Sequence, residues 1–177
     1  MENSKLQKML KAHKLWIDSN KKRGEPANFR GADLRDVDLR EVDLSEANFY
    51  KAKLSGCDLY GSNLYKTDFY KADFYKADLR GANFSGSDLC EVNLRKANLY
   101  KANLHKVWLY KADLYEANFC EANLYKADIR KADLRKADFC EANLHKADIR
   151  GAIIRGADFR GANLCEANID FFDRNFA

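Results

Sequence analysis

A large apolar residue stands at every fifth position from Phe29 to Ile169, 29 times without a gap, and this period decides what the chain can fold into. Seventeen of these residues are Leu, eight Phe and four Ile. Two positions earlier stands a small residue, Ala in 21 cases and otherwise Val, Ser, Thr or Cys. Between the two lies Asp or Asn in 26 of the 29 units, as in ANFRG, ADLYE and ADIRK. A period of five fits neither a 3.6-residue helix nor a plain alternating strand. It fits a short extended segment whose small and large residues point inward, two positions apart, followed by a corner. Four such sides close a square coil.

The sequence carries its own measure of the coil. Six of the eight repeat phenylalanines fall into two columns spaced by 20, one of Phe29, Phe49 and Phe69 and one of Phe119, Phe139 and Phe159. Ile129, Ile149 and Ile169 form a third. Residues 119–138 match residues 139–158 at 15 of 20 positions, so the duplicated unit is the coil and not the pentapeptide. Coils in register lie about 4.8 Å apart, which makes the repeat a rod of roughly seven coils and about 35 Å. Contacts are sequential, as in any quasi-one-dimensional solenoid. Each buried Leu or Phe contributes about 1.5–3 kcal/mol. All eight repeat glycines occupy the last position of the unit, where a type II turn needs positive φ. Corners with Lys or Glu at that position are expected to use another turn type.

On these residues the chain resembles the bacterial pentapeptide-repeat proteins over residues 27–170, and the segment KAHKLWIDSNKKRGEPANFRGADL is similar to the lead-in of many such proteins. The resemblance implies an all-β solenoid, a right-handed quadrilateral β-helix of about seven four-sided coils. The family is often dimeric, and most members lack an assigned biochemical role. The resulting division is a capping helix and linker (1–26), the β-helix (27–170) and an aromatic C-terminal tail (171–177).

Charge excludes some functions. The formal net charge is +4, but residues 1–26 hold seven Lys/Arg against three Asp/Glu, leaving 24 against 24 in residues 27–177. A formally neutral body argues against both a DNA-clamping surface and a strongly anionic nucleic-acid mimic. The opening MENSKLQK shows no signal-peptide apolar region, and nowhere do 18 apolar residues run together, so a cytoplasmic protein without membrane attachment is expected. Five Cys, an odd number without CxxC or zinc spacing, read as reduced thiols.

The stack needs covering at both ends. Leu6, Met9, Leu10, His13, Trp16 and Ile17 lie on one face of a helix from about Ser4 to Asp18, read as the N-terminal cap. At the other end Phe172 replaces the small inward residue. With Phe171 and Phe176 it is expected to fold over the last coil or to bury its ring in a homodimer.

Candidate sites lie on the outside. All nine Tyr and ten Arg take the first corner position, giving ladders of Tyr60, Arg80 and Tyr100, of Tyr75, Arg95 and Tyr115, and of Tyr110 and Arg130. Three units depart from Asp/Asn, with Lys53, Trp108 and Ile153. An outward indole at Trp108, with Tyr110, Lys106, Lys111 and Arg130 near it, has the composition of an interface hot spot. Cys120 and Cys140 stack one coil apart, by duplication. His105 and His145, about 10 Å apart with Tyr125 between, cannot share a metal ion. Catalysis needs different groups converging in a concave pocket, and the sequence shows no Gly-rich phosphate loop, HExxH or nucleophile elbow. No enzyme activity, cofactor or metal is therefore expected. The reading is a rigid interaction module for an unidentified protein partner, acting as a monomer or a C-terminally joined homodimer. Resemblance to the family adds a DNA-gyrase-binding, DNA-mimicking role of the quinolone-resistance type as an alternative. Nucleic-acid binding through the basic head and the Tyr/Arg ladders is a second.

Overall fold

A computed structural model describes residues 1–170. Helix α1 (Asn3–Asp18) leads into a stack of coils in which residues 20 apart are bridged in parallel, from Asn28↔Asn48 to Asp148↔Asn168. Four sides per turn, inferred from the Phe columns, is therefore the observed geometry.

The backbone hydrogen bonds explain the unit position by position. The large residue donates to the next coil (Phe29 N–H to Asn48 O, 2.6 Å) and the Asp/Asn donates to the previous one (Asn48 N–H to Ala27 O, 3.0 Å). At the corner, the second residue donates to the next coil (Gly31 N–H to Tyr50 O, 2.8 Å), and the following small residue closes the turn (Ala32 N–H to Phe29 O, 2.9 Å). One N–H per unit remains, that of the first corner residue. The Asp or Asn two positions earlier accepts it, as Asn28 Oδ1 does from Arg30 N–H at 3.2 Å. A buried or half-buried donor without a partner is costly, so an Asp or Asn is demanded at this position even though it points outward.

Inside, the two Phe columns stack ring on ring. Phe49 lies between Phe29 and Phe69, with centroids 4.7 and 4.9 Å away, and Phe139 lies between Phe119 and Phe159, at 4.9 and 5.1 Å. Phe29, Phe49, Phe69, Phe119 and Phe139 are buried, so these rings set the register from within the core and none of them is a contact surface for a partner. Phe159 departs from that pattern and is only partly buried: its side is bridged to the coil below, at Asp138↔Asp158, and among the described residues to none above. Phe74 and Phe84 join the first column at Phe69, filling the middle of one coil with three rings. Ala, Val, Ser, Thr and Cys at the small position let these large residues meet across the coil. The buried hydroxyls there are satisfied by the wall, Ser62 by Leu59 O, Thr67 by Leu44 O and Ser87 by Leu64 O.

One expectation is overturned. Every corner among the described residues has positive φ at its second residue, 53° to 60° at the twenty Asp, Glu and Lys corners and 63° to 73° at the eight Gly corners. All close with the same i+3 to i hydrogen bond, so all are of the type II kind. Wherever another coil follows, the corner residue hands its N–H to it, and a different turn would break that ladder. A left-handed L-residue costs roughly 1–2 kcal/mol, which the repeated hydrogen bonds offset.

At the N-terminal end Leu6 is buried in the same core, with Met9 and Leu10 packed against it. Buried His13 accepts the Ala27 N–H on Nδ1 (3.0 Å) and its ring stacks on Trp16 at 5.6 Å, while Ile17 is half-buried. Gly24, at φ +73°, has no room for a side chain: a Cβ there would strike the Ala12 carbonyl of α1 and come within 2.9 Å of the Trp16 nitrogen. The first coil is thus sealed, with Phe29, Leu34, Leu39 and Leu44 all buried. In the last coil Leu164 and Ile169, like Phe159, are only partly buried. The aromatic cap expected from Phe171, Phe172 and Phe176 lies outside the described residues. Among the described residues no helix is long and apolar enough to cross a membrane.

Candidate interaction surface

Most outward charges are already spent on the wall. Seven corner arginines fold back on the Asp of their own unit through Nε and Nη2, as Arg40 does on Asp38 (2.9 and 2.6 Å) and Arg130 on Asp128 (2.7 and 2.6 Å). The guanidinium holds the Asp38 carboxyl down at about 2, and Asp78, Asp133, Asp148 and Asp158 are likewise lowered by their arginines. One side carries almost no charge. There Asn63, Asn83, Asn103, Asn123, Asn143 and Asn163 form an amide ladder, each Nδ2 donating to the side-chain oxygen one coil below at 3.0–3.5 Å. Sequence reasoning missed this ladder, although Asn recurring every 20 residues was its signal.

The Tyr/Arg ladders form in pieces. Arg30 lies over Tyr50 at 4.0 Å, Arg95 over Tyr115 at 4.5 Å and Arg80 over Tyr60 at 5.6 Å. Tyr100 is taken instead by Lys101, at 4.9 Å, and by Glu121, to which its hydroxyl donates at 2.7 Å. Tyr75 faces Lys76 at 5.2 Å, because Arg95 reaches up to Asp113 at 3.3 Å. Continuous ladders fail because a guanidinium tethered to a carboxylate cannot lie between two rings.

Trp108 stands apart. It is 53% exposed, in mid-side, bridged to Asp88 below and Asp128 above. Tyr110 follows at the corner, with Lys111, Lys131 and Arg130 at 5.3, 5.7 and 5.8 Å from its ring. Of the cations singled out from sequence, Arg130 is clamped on Asp128, whereas Lys106 and Lys111 have no carboxylate partner among the described residues. The same holds for Lys126 and Lys131, which the sequence reading did not single out and which the 20-residue register places directly above them. Because Trp108 replaces the capping Asp/Asn, the Tyr110 N–H has no acceptor among the described residues, and so it is with Ser55 after Lys53 and Arg155 after Ile153.

The remaining candidates are less reactive. Burial pushes the Cys90 thiol up to about 12 and, with Cys140 beside it, the Cys120 thiol up to about 11, so neither is a thiolate nucleophile at neutral pH. Cys57 is fully buried and shifted the same way. His105, Tyr125 and His145 form one stack, 5.4 and 5.3 Å between centroids. Nδ1 of His145 lies 2.8 Å from the Cys165 carbonyl, and His145, Cys165 and Glu166 bring their ligand atoms within 4.8 Å of one another. Among the described residues these three are the group that could hold a metal ion, a grouping missed from sequence, where His145 was paired with His105. Glu166 is shared with Lys146 at 3.4 Å.

A five-residue unit, uniform corners and coils bridged every 20 residues define a quadrilateral β-helix, and its coil is right-handed. The chain belongs to the pentapeptide-repeat family: the family description "Pentapeptide repeats" matches in 8 copies over residues 27–61, 47–86, 77–114, 102–140 and 142–171. Among solved structures it is similar to a trypsin-treated form of QnrB1, a plasmid-mediated fluoroquinolone resistance protein (24% identity, 82% of this chain and 68% of that chain, TM-score 0.68). Full-length QnrB1 matches at 21% identity over 81% and 86% of the two chains, with a TM-score of 0.51. HetL, a pentapeptide repeat protein involved in heterocyst differentiation regulation in the cyanobacterium Nostoc sp. strain PCC 7120, is 30% identical over 80% and 82% (TM-score 0.38). A search of curated proteins gives no match.

Proposed function

We propose that this protein is a rigid, non-enzymatic interaction module of the cytoplasm that engages a protein partner through the side centred on Trp108. The observation that carries the reading is the exposed indole beside Tyr110, framed by lysines without carboxylate partners on a wall where most arginines are neutralised. Trp and Tyr are among the residues most often found as the anchors of a protein interface. The interior is filled by Phe, Leu and Ala, which supports a role without catalysis. The reading is tested by crosslinking in the native host followed by mass spectrometry: Trp108→Ala is expected to lose a partner that the wild type captures. Equal capture by both would remove Trp108 from the interface.

The gyrase-binding alternative draws on the fold shared with QnrB1. At 24% identity that likeness is one of fold, and the body here balances 24 cationic against 24 acidic residues where a DNA mimic needs net negative charge. A supercoiling assay with and without ciprofloxacin is expected to show neither inhibition nor protection.

A further inference from the structure

The side centred on Trp108 also has a recognisable chemistry. In 25 units the Asp or Asn side chain accepts the N–H of the first corner residue, at 2.8 to 3.3 Å. Trp108 interrupts that row, and the Tyr110 N–H is left without an acceptor among the described residues. Lys106 and Lys126 stand at the corner before this side, Lys111 and Lys131 at the corner after it, and none makes an ion pair among the described residues. Of the two carboxylates next to Trp108, Asp128 is bound by Arg130, and Asp88 accepts the Cys90 N–H at 2.9 Å. An open backbone donor beside an exposed indole, flanked by four ammonium groups that form no ion pair among the described residues although Lys111 lies near Glu91, is complementary to a carboxylate carried next to an apolar residue.

We propose that this surface binds an acidic segment of a partner protein, whose Asp or Glu supplies the acceptor that Trp108 withholds from Tyr110 while a neighbouring apolar side chain covers the indole. This rests on the interaction-module reading and names its partner class. A nucleic acid fits less well. Asp68, Asp88, Asp128 and Asp148 run down the same side, one per coil, so a continuous phosphate backbone would meet a carboxylate wherever it left the Trp108 coil. One carboxylate flanked by an apolar group needs only that coil.

The probe is an acetylated, amidated peptide Glu-Glu-Leu-Phe-Glu-Glu, titrated into the full chain and followed through the Tyr110 amide and Trp108 indole resonances. Both are expected to shift, and the Gln-Gln-Leu-Phe-Gln-Gln peptide is expected to bind about ten-fold or more weakly. Trp108→Asn restores the repeat's own cap and so folds, and it should lose binding by a similar factor, while Trp108→Phe leaves the N–H open and should retain it. Equal binding of the two peptides, equal binding by Trp108→Asn, or tighter binding of an oligothymidylate than of the glutamate peptide overturns the proposal. If the glutamate peptide fails to bind while Trp108→Asn still abolishes partner capture, the acidic class falls and the interaction surface stands.

Discussion

At the scale of the residue, the Asp/Asn of each unit is a cap before it is a surface charge. Asn103 accepts from His105 N–H, donates to Asn83 and accepts from Asn123, so Asn103→Ala should cost about 1–3 kcal/mol by urea denaturation, more than a surface substitution ordinarily does. The corner makes the opposite prediction. Lys76 holds φ 58°, where its side chain is strained and Gly is not, so Lys76→Gly should raise the urea midpoint by the equivalent of about 0.5–1 kcal/mol. Lys76→Ile, β-branched at the same φ, should lower it. The Asp/Asn preference was plain in the sequence, but its purpose was not, since an outward polar residue reads equally well as a solvated face. Left-handed Lys and Glu were misread for a related reason. Local preference favours Gly there, and it is the ladder to the next coil that favours one turn at each corner with a coil above it.

At the scale of the element, α1 is joined to the first coil through one titratable contact. His13 is buried, so its pKa falls below 6.5, with Asp43 and Glu46 pulling weakly the other way. Nδ1 accepts from Ala27, and protonation would place a second donor against that N–H. The folded value lies below the unfolded one, so this stability is complete above 6.5 and is lost as pH falls toward the folded value. Protection of the Ala27 amide, measured as exchange relative to its intrinsic rate at each pH, should therefore fall as the pH drops below 6.5, and His13→Gln, which keeps an acceptor without the charge, should flatten the response. The amphipathic pattern of Leu6, Met9, Leu10, Trp16 and Ile17 made the helix legible. The His13 bond depends on where the chain turns after Gly24, which no periodicity records.

At the scale of the whole molecule, stability should follow coils and not pentapeptides. Removing residues 119–138 deletes one complete turn and leaves every column in register, so the shortened chain should keep its circular dichroism with a lower melting temperature. Removing residues 119–123 alone shifts every later side by a quarter turn. It moves Phe139 and Phe159 off their own column and onto the one of Leu34, Leu54, Phe74, Leu94 and Leu114, and should destabilise the chain more than the longer deletion does. The columns that make this argument were visible from spacing, and their centroid distances of about 5 Å give the energetic reason for them.

The repeat, the four-sided coil and the inward columns were determined by the sequence itself, because each is a property of one unit or of units a fixed 20 residues apart. Tertiary structure alone decided which charges remain uncommitted. Whether a lysine or arginine is free depends on which carboxylates the stacked coils bring within reach, and so Arg130 went to Asp128 while Lys106, Lys111, Lys126 and Lys131 were left around Trp108. An open N–H at Tyr110 belongs to the same class of fact, since a donor is unsatisfied only once the whole wall of acceptors around it is in place.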